Sequence, residues 1–303
     1  MKPSLFLAGA PKCGTSALGS LLAQHPHINM CKVKEPNFFC HDFDVPGCKT
    51  ESSYLALFSP TAATRYLADG SILYLYSSTS ALEIKKYSPD ARIVIILRNP
   101  VDVMHSWHSQ MVFTCNEDIA DFGQALAAES ERKKGNCIPK SGTGNRCPQL
   151  LFYREIVRFD LQLERFFTLF ERSQIKVISF DDFKQDSAAV YRDLTRFLDL
   201  DDDFIPDYAI VNPSKRRRSW RLHYWAKRLF SRPSQMLPLR FRLDLINMLD
   251  RVNSKQEKRP AMDAQLRAQL TQEFQPTVMK LSGLLDRDLS HWFQPLSPAS
   301  ASD

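Results

Sequence analysis

At 303 residues the chain is long for one domain but within reach of a large α/β domain, and 44% hydrophobic residues supply a sizeable core. A formal charge of +6 makes it mildly basic, which admits nucleic acid or a small polyanion as partner; the clustering of the basic residues decides between them. No apolar run is long enough to span a bilayer, so no membrane span is expected.

In chain order, "SLFLAGA" (4–10) reads as a buried strand. It faintly resembles a secretory leader, but Pro11 and Lys12 end the apolar run too early, and a cytoplasmic location is the expectation. "SALGSLLAQHP" follows as a helix stopped by Pro26. "TSALEIKKYSPDA" is a second helix, "RIVIILRNP" an apolar strand ending at Arg98, and "VDVMHSWHSQMVF" a helix behind Pro100, which suits a first-turn position. The Gly- and Pro-containing loop "KKGNCIPKSGTGNRCPQ" is either a substrate lid or a plain solvent loop. A long amphipathic helix is expected over 150–171, a strand at "QIKVISF", and a helix over 186–200 with Val190, Leu194, Phe197 and Leu198 on one face. Beyond Pro206 the chain turns basic and reads as largely helical, and its Pro/Ser/Ala tail, 294–303, is expected to be disordered. Short apolar strands alternating with helices predict an α/β fold: one P-loop-like domain over 1–293, a central parallel sheet flanked by helices, and a helical C-terminal part.

Seven cysteines, without a C-x-x-C pair or zinc spacing, are expected mostly as reduced thiols, and no metal is expected. Cys137 and Cys147 flank a polar loop and could pair in an oxidising compartment.

Chemistry concentrates at three places. In "AGAPKCGTS" the chain turns sharply after a strand, and the backbone N–H groups at the start of the next helix favour an anion. Gly14 allows close approach, Thr15 and Ser16 add hydroxyls, and Lys12 adds a point charge. The nucleoside-triphosphate loop has its lysine after the second glycine, an order this chain lacks. A strand–helix turn with an exposed lysine is an equal alternative at this stage.

The second place is Arg98, at a strand end where P-loop enzymes carry a metal-binding aspartate; arginine instead suits bidentate phosphate contact. Ser106 lies two turns on, on a face that can look back toward it, while Asp102 offers Arg98 a plain ion pair. The third is Glu35 in "KVKEPNFF", a paired surface carboxylate or a general base at a cleft mouth. Two anion sites and one carboxylate together are a functional pattern.

These residues resemble the sulfotransferases that use 3′-phosphoadenosine 5′-phosphosulfate (PAPS), especially the heparan-sulfate-sulfotransferase-like family and its bacterial relatives. "GAPKCGTSAL" is similar to that family's 5′-phosphosulfate loop, "VIILRNPVDVMHSW" to its 3′-phosphate motif and "KEPNFF" to its Lys-Glu-Pro-x-Phe-Phe segment. The likeness continues through "YLYS" and "LTRFLDL" to "LLDRDLSHW".

The resemblance implies a PAPS-dependent enzyme with PAPS as sulfuryl donor and no metal. Lys12, Cys13, Gly14, Thr15, Ser16 and Ala17 would cradle the 5′-phosphosulfate, Arg98 and Ser106 would hold the 3′-phosphate, and Lys12 and Glu35 would be catalytic. The run "NPSKRRRSW" would close over the 3′-phosphate through Lys215, Arg216, Arg217 or Arg218; a solvated basic helix start is the alternative. It lacks the longer basic surface with exposed aromatics that nucleic acid would need.

The chain departs from the family where "ADGSILYLYS" replaces a Gly-Glu-x-Ser-Pro run, leaving Asp69 and Ser71 as stand-ins, and where "HSWHS" introduces His105 and His108, the latter an alternative base. The expected acceptor is a hydroxyl or amine of a carbohydrate, glycolipid or other metabolite, possibly acidic, met by loops 40–66 and 133–149. A P-loop kinase and a non-catalytic nucleotide- or polyanion-binding protein are the alternatives.

Overall fold

The computed structural model describes residues 1–140, 142–200, 203–208 and 260–293, and the backbone alone of 215–217 and 254–256. Its centre is a five-stranded sheet in the order β2-β3-β1-β4-β5, formed by β1 (Leu5–Gly9), β2 (Ile28–Met30), β3 (Tyr66–Asp69), β4 (Arg92–Leu97) and β5 (Ile175–Ser179). Every pairing in it is parallel. The all-buried run LFLAG of β1 and the five buried residues of β4 explain why: a parallel sheet is covered on both faces, so its central strands read as continuous apolar runs. Between β1 and β4 the register is Leu5 to Arg92, Phe6 to Ile93 and Leu7 to Val94, with a shift before Gly9.

Helices fill the crossovers: α1 (Thr15–Leu22), α2 (Glu51–Leu55), α3 (Ser80–Tyr87), α4 (Pro100–Phe113), α5 (Phe122–Ala127), α6 (Glu129–Lys133), α7 (Thr143–Arg146), α8 (Phe159–Leu169), α9 (Phe180–Gln185) and α10 (Ser187–Phe197). α4 starts as its sequence suggests, with Pro100 in the first turn and the Asn99 side chain accepting from the Val101 N–H at 2.9 Å.

A two-stranded antiparallel pair joins β6 (Lys215–Arg217) to β7 (Ser254–Gln256), so the backbone of 215–217 is extended rather than helical. A last helix, α11 (Ala264–Leu285), is capped by Asp263 and buries Leu270, Phe274, Val278 and Leu281. The expected tail at 294–303 lies outside the described residues.

One expectation is corrected. The helix expected over 150–171 is helical only over α8; 148–151 and 155–157 form single 3₁₀ turns. Tertiary contacts override the amphipathic period there: the Tyr153 hydroxyl donates to Glu117 at 2.6 Å, and Phe152 and Arg158 adopt non-helical dihedrals. The loop over 133–149 carries one short helix. This is α7, whose first N–H donates to Asn116 Oδ1 at 2.9 Å. All seven cysteines are free thiols, including Cys137 and Cys147. No helix among the described residues is long and apolar enough to cross a membrane.

Candidate active site

The strand order reverses direction at β1: the chain moves to β2 and β3 on one side, then to β4 and β5 on the other. In open parallel sheets the crevice outside the carboxyl ends of the strands at such a switch point is where ligands bind. The turn after β1 and the turn after β4 meet there, and they carry Lys12 and Arg98.

The first turn is shaped by its backbone. Gly14 sits at φ 91° as the residue before α1, with no side chain capping the helix. A Cβ at Gly14 would stand 3.0 Å from two ring carbons of Phe180, so glycine is required for both the dihedral and the close packing. Lys12, also left-handed at φ 62°, donates from Nζ to Gln110 Oε1 at 3.3 Å, which places it beside α4. Cys13 is fully buried beneath the turn and its Sγ donates to Pro11 O. Burial pushes that thiol up to about 12 despite the neighbouring Arg98 and Lys12 charges, so Cys13 is a packing residue in its neutral form. Thr15 is buried, while Ser16 and Ala17 are half-buried.

Arg98 extends from the end of β4 across the Phe180 ring, its guanidinium carbon 4.9 Å from the centroid. Its Nη2 lies 3.5 Å from Asp102 Oδ2, the ion pair the sequence admitted. Ser106 is buried in α4, 3% exposed. Phe180 therefore packs against Gly14 on one side and Arg98 on the other, joining the two turns. Sequence reading did not single out this residue; its signal was its place as the last residue of the expected strand "QIKVISF".

Glu35 sits in a bent segment in which both it (φ 62°) and Asn37 (φ 48°) are left-handed. Such dihedrals persist in non-glycine residues only where the surroundings hold them. Asp69 supports this segment through Ser71, beside the bonds of Asn37 Nδ2 to Pro46 O and of the Cys48 N–H to Pro36 O. Asp69 Oδ1 accepts from Ser71 Oγ and its Oδ2 from the Tyr54 and Tyr74 hydroxyls, each at 2.7 Å, and Ser71 Oγ in turn accepts from the Asn37 N–H at 3.0 Å. Asp69 is completely buried, and burial raises its pKa against those hydrogen bonds. It supports the Glu35 segment from beneath.

The Glu35 carboxyl is also held above the ordinary glutamate value by burial, opposed chiefly by the Lys34 charge, raised further by Asp69 and lowered by Lys12. Lys34, another residue the sequence reading passed over, donates from Nζ to Ser16 Oγ at 2.7 Å and lies 3.7 Å from Glu35.

The remaining candidates fall elsewhere. His108 is buried, with Nε2 2.9 Å from Ile119 O and its ring against Phe122 and Tyr153; burial lowers its pKa. His105 packs its ring on Phe122. The side chains of Lys215, Arg216 and Arg217, and the whole of Arg218, lie outside the described residues. Among the described residues no group of three His, Cys, Asp or Glu is arranged to hold a metal ion.

Comparison with known proteins identifies the family. The model of the sulfotransferase domain family matches residues 2–218. A sulfotransferase from Alicyclobacillus acidocaldarius superposes with a TM-score of 0.73 at 28% identity, covering 97% of this chain and 100% of its own. The bifunctional heparan sulfate N-deacetylase/N-sulfotransferase 1 of Caenorhabditis briggsae is 25% identical over 226 residues, 70% of this chain and 24% of that protein. The corresponding enzyme 2 of Bos taurus is 24% identical over 294 residues, 94% of this chain and 30% of its own length. The chain thus spans a quarter to a third of these curated relatives. With the family model matching well over half of it, the chain belongs to the sulfotransferase domain family and is a sulfuryl-transferring enzyme.

Proposed function

We propose that this enzyme transfers the sulfuryl group of PAPS to a hydroxyl or amine of a carbohydrate, glycolipid or other small acceptor. The observation that carries the reading is that the turns after β1 and β4, which bear Lys12 and Arg98, share the Phe180 ring beside the switch point, while Glu35 is tied to the first turn through Lys34. The donor set suits PAPS: the turn after β1 offers an uncapped helix start, the hydroxyls of Thr15 and Ser16 and the Lys12 ammonium, and the turn after β4 adds the Arg98 guanidinium, all complementary to phosphate oxygens. Lys12 and the residues from Cys13 to Ala17 would hold its 5′ side. Arg98 and Ser106 would hold its 3′-phosphate, assisted by the basic run from Lys215 to Arg218. When bound, PAPS supplies an activated sulfuryl group on a good leaving phosphate.

The chain's own groups then have distinct tasks. Lys12 places a positive charge where negative charge grows on the leaving side. Glu35, ionised, accepts the proton that the acceptor hydroxyl or amine gives up. The Asp69–Ser71–Asn37 relay fixes the Glu35 segment in position. The burial of His108 against a backbone carbonyl favours Glu35 as the base. The ties of α11 and residues 290–293 to α4 and α9 support a domain that runs to residue 293.

The test is label transfer from ³⁵S-labelled PAPS into cell extract and into a panel of sugar, glycolipid and amine acceptors, with ATP and magnesium as comparator. Label should enter an acceptor from PAPS, and Lys12→Ala should lower turnover by about 10²–10³ while the fold is kept. Phosphoryl transfer from ATP alone, or tight binding of adenosine 3′,5′-bisphosphate with no acceptor labelled, would overturn the proposal.

A further inference from the structure

Asp102, in the first turn of α4, holds two arginines at once. Its Oδ2 lies 3.5 Å from Arg98 Nη2, and its Oδ1 accepts from Arg267 Nη2 of α11 at 2.5 Å. All three side chains are less than a third exposed, at 28% for Arg98, 20% for Asp102 and 23% for Arg267, so solvent screens their charges only in part. Arg267 lies beyond residues 2–218, the part that the family model matches.

The same C-terminal part also packs on the turn after β4 and on the start of α9. Asn99 Nδ2 donates to Trp292 O at 2.9 Å, Trp292 Nε1 donates to Asp181 Oδ2 at 2.7 Å, and Arg287 forks onto Asp182. Asp181 and Asp182 directly follow Phe180, the ring that supports Arg98.

The charges explain what this arrangement does. Arg98 and Asp102 alone form a neutral pair, and the carboxylate would both compete for the guanidinium and repel an arriving phosphate. Arg267 gives the cluster a net positive charge and supplies Asp102 with a partner of its own.

We propose that Arg267 is a positioning residue of the nucleotide site: by neutralising Asp102 it leaves the Arg98 guanidinium to the 3′-phosphate, so that the C-terminal helix sets the preference for a nucleotide phosphorylated at the 3′ position. This rests on the reading of Arg98 given above.

Titration calorimetry on the full chain tests it, with adenosine 3′,5′-bisphosphate and adenosine 5′-monophosphate as probes. Arg267→Ala should weaken the bisphosphate about tenfold and the monophosphate by no more than about twofold. Asp102→Asn combined with Arg267→Ala should recover most of the loss, because the uncompensated carboxylate goes with its partner, and Arg267→Lys should stay near wild type. Should Arg267→Ala fail to fold, Arg267→Gln, which keeps the length of the stem, is read in the same way.

Equal losses for the two nucleotides, or a double variant no better than Arg267→Ala, would assign Arg267 to holding α11 in place and end the proposal. A wild-type chain that binds both nucleotides alike would instead overturn the reading of Arg98, and this proposal with it.

Discussion

Lys34 Nζ lies 2.7 Å from Ser16 Oγ, so the residue beside Glu35 is tied to the first turn of α1. The same ammonium, 3.7 Å from Glu35, is the main group that opposes the effect of burial on that carboxyl. Lys34→Ala should therefore move the acid limb of the kcat/KM profile to higher pH. Affinity for adenosine 3′,5′-bisphosphate should fall by no more than about fivefold, since the lysine is largely solvent-screened. An unmoved acid limb would separate Lys34 from the base.

Glu35→Gln should remove the pH dependence on the acid side and lower turnover by about 10²–10⁴, leaving bisphosphate binding near wild type. It should also stabilise the protein at neutral pH. The folded-state pKa of Glu35 is raised, so its contribution to stability is fully present below the unfolded value and is lost as pH rises through the folded value. Thermal melts at neutral and mildly acidic pH check the sign: the advantage of the variant should shrink as pH falls.

Gly14→Ala should cost about 1–2 kcal/mol from the left-handed dihedral alone. The added Cβ also meets Phe180 at 3.0 Å, and Phe180 carries Arg98, so bisphosphate affinity should drop together with the melting temperature. A variant that is destabilised but binds normally would uncouple the two turns.

Arg132→Met should be the most damaging change away from the site. Arg132 forks onto Glu117 with two 2.7 Å bonds, and neither side chain is exposed. Hydrogen bonds from Arg132 and Tyr153 outweigh burial and keep Glu117 below its usual pKa. Removing one partner leaves the other charge buried, at a cost of about 3–5 kcal/mol. Denaturant unfolding should show a loss of that size, and Glu117→Gln added to Arg132→Met should recover part of it.

The central strands and the turns that bear Lys12 and Arg98 were legible because they are local: a continuous apolar run, then glycine or arginine where the run stops. β2 and β3, with three and four residues, carry too little pattern to register as strands. The 3₁₀ turns before α8 were hidden for the opposite reason, since their apolar spacing continues a helical period while Tyr153 answers to Glu117, 36 residues earlier.

At the site, Lys12, Arg98 and Glu35 could be picked out by residue type. What holds them could not. Asp69 read as a stand-in for a motif residue, yet it acts from beneath through Ser71, and the Arg267–Asp102 bond joins positions 165 apart.

The parallel ladder between β1 and β4 has a consequence for how this enzyme can diversify. The turns that bear Lys12 and Arg98 issue from neighbouring strands, whose separation of about 4.8 Å is set by backbone hydrogen bonds rather than by either turn. The spacing of those two turns is therefore built into the sheet. Residues 40–66 and 133–149 contribute nothing to that ladder, so changes there leave the spacing as it is.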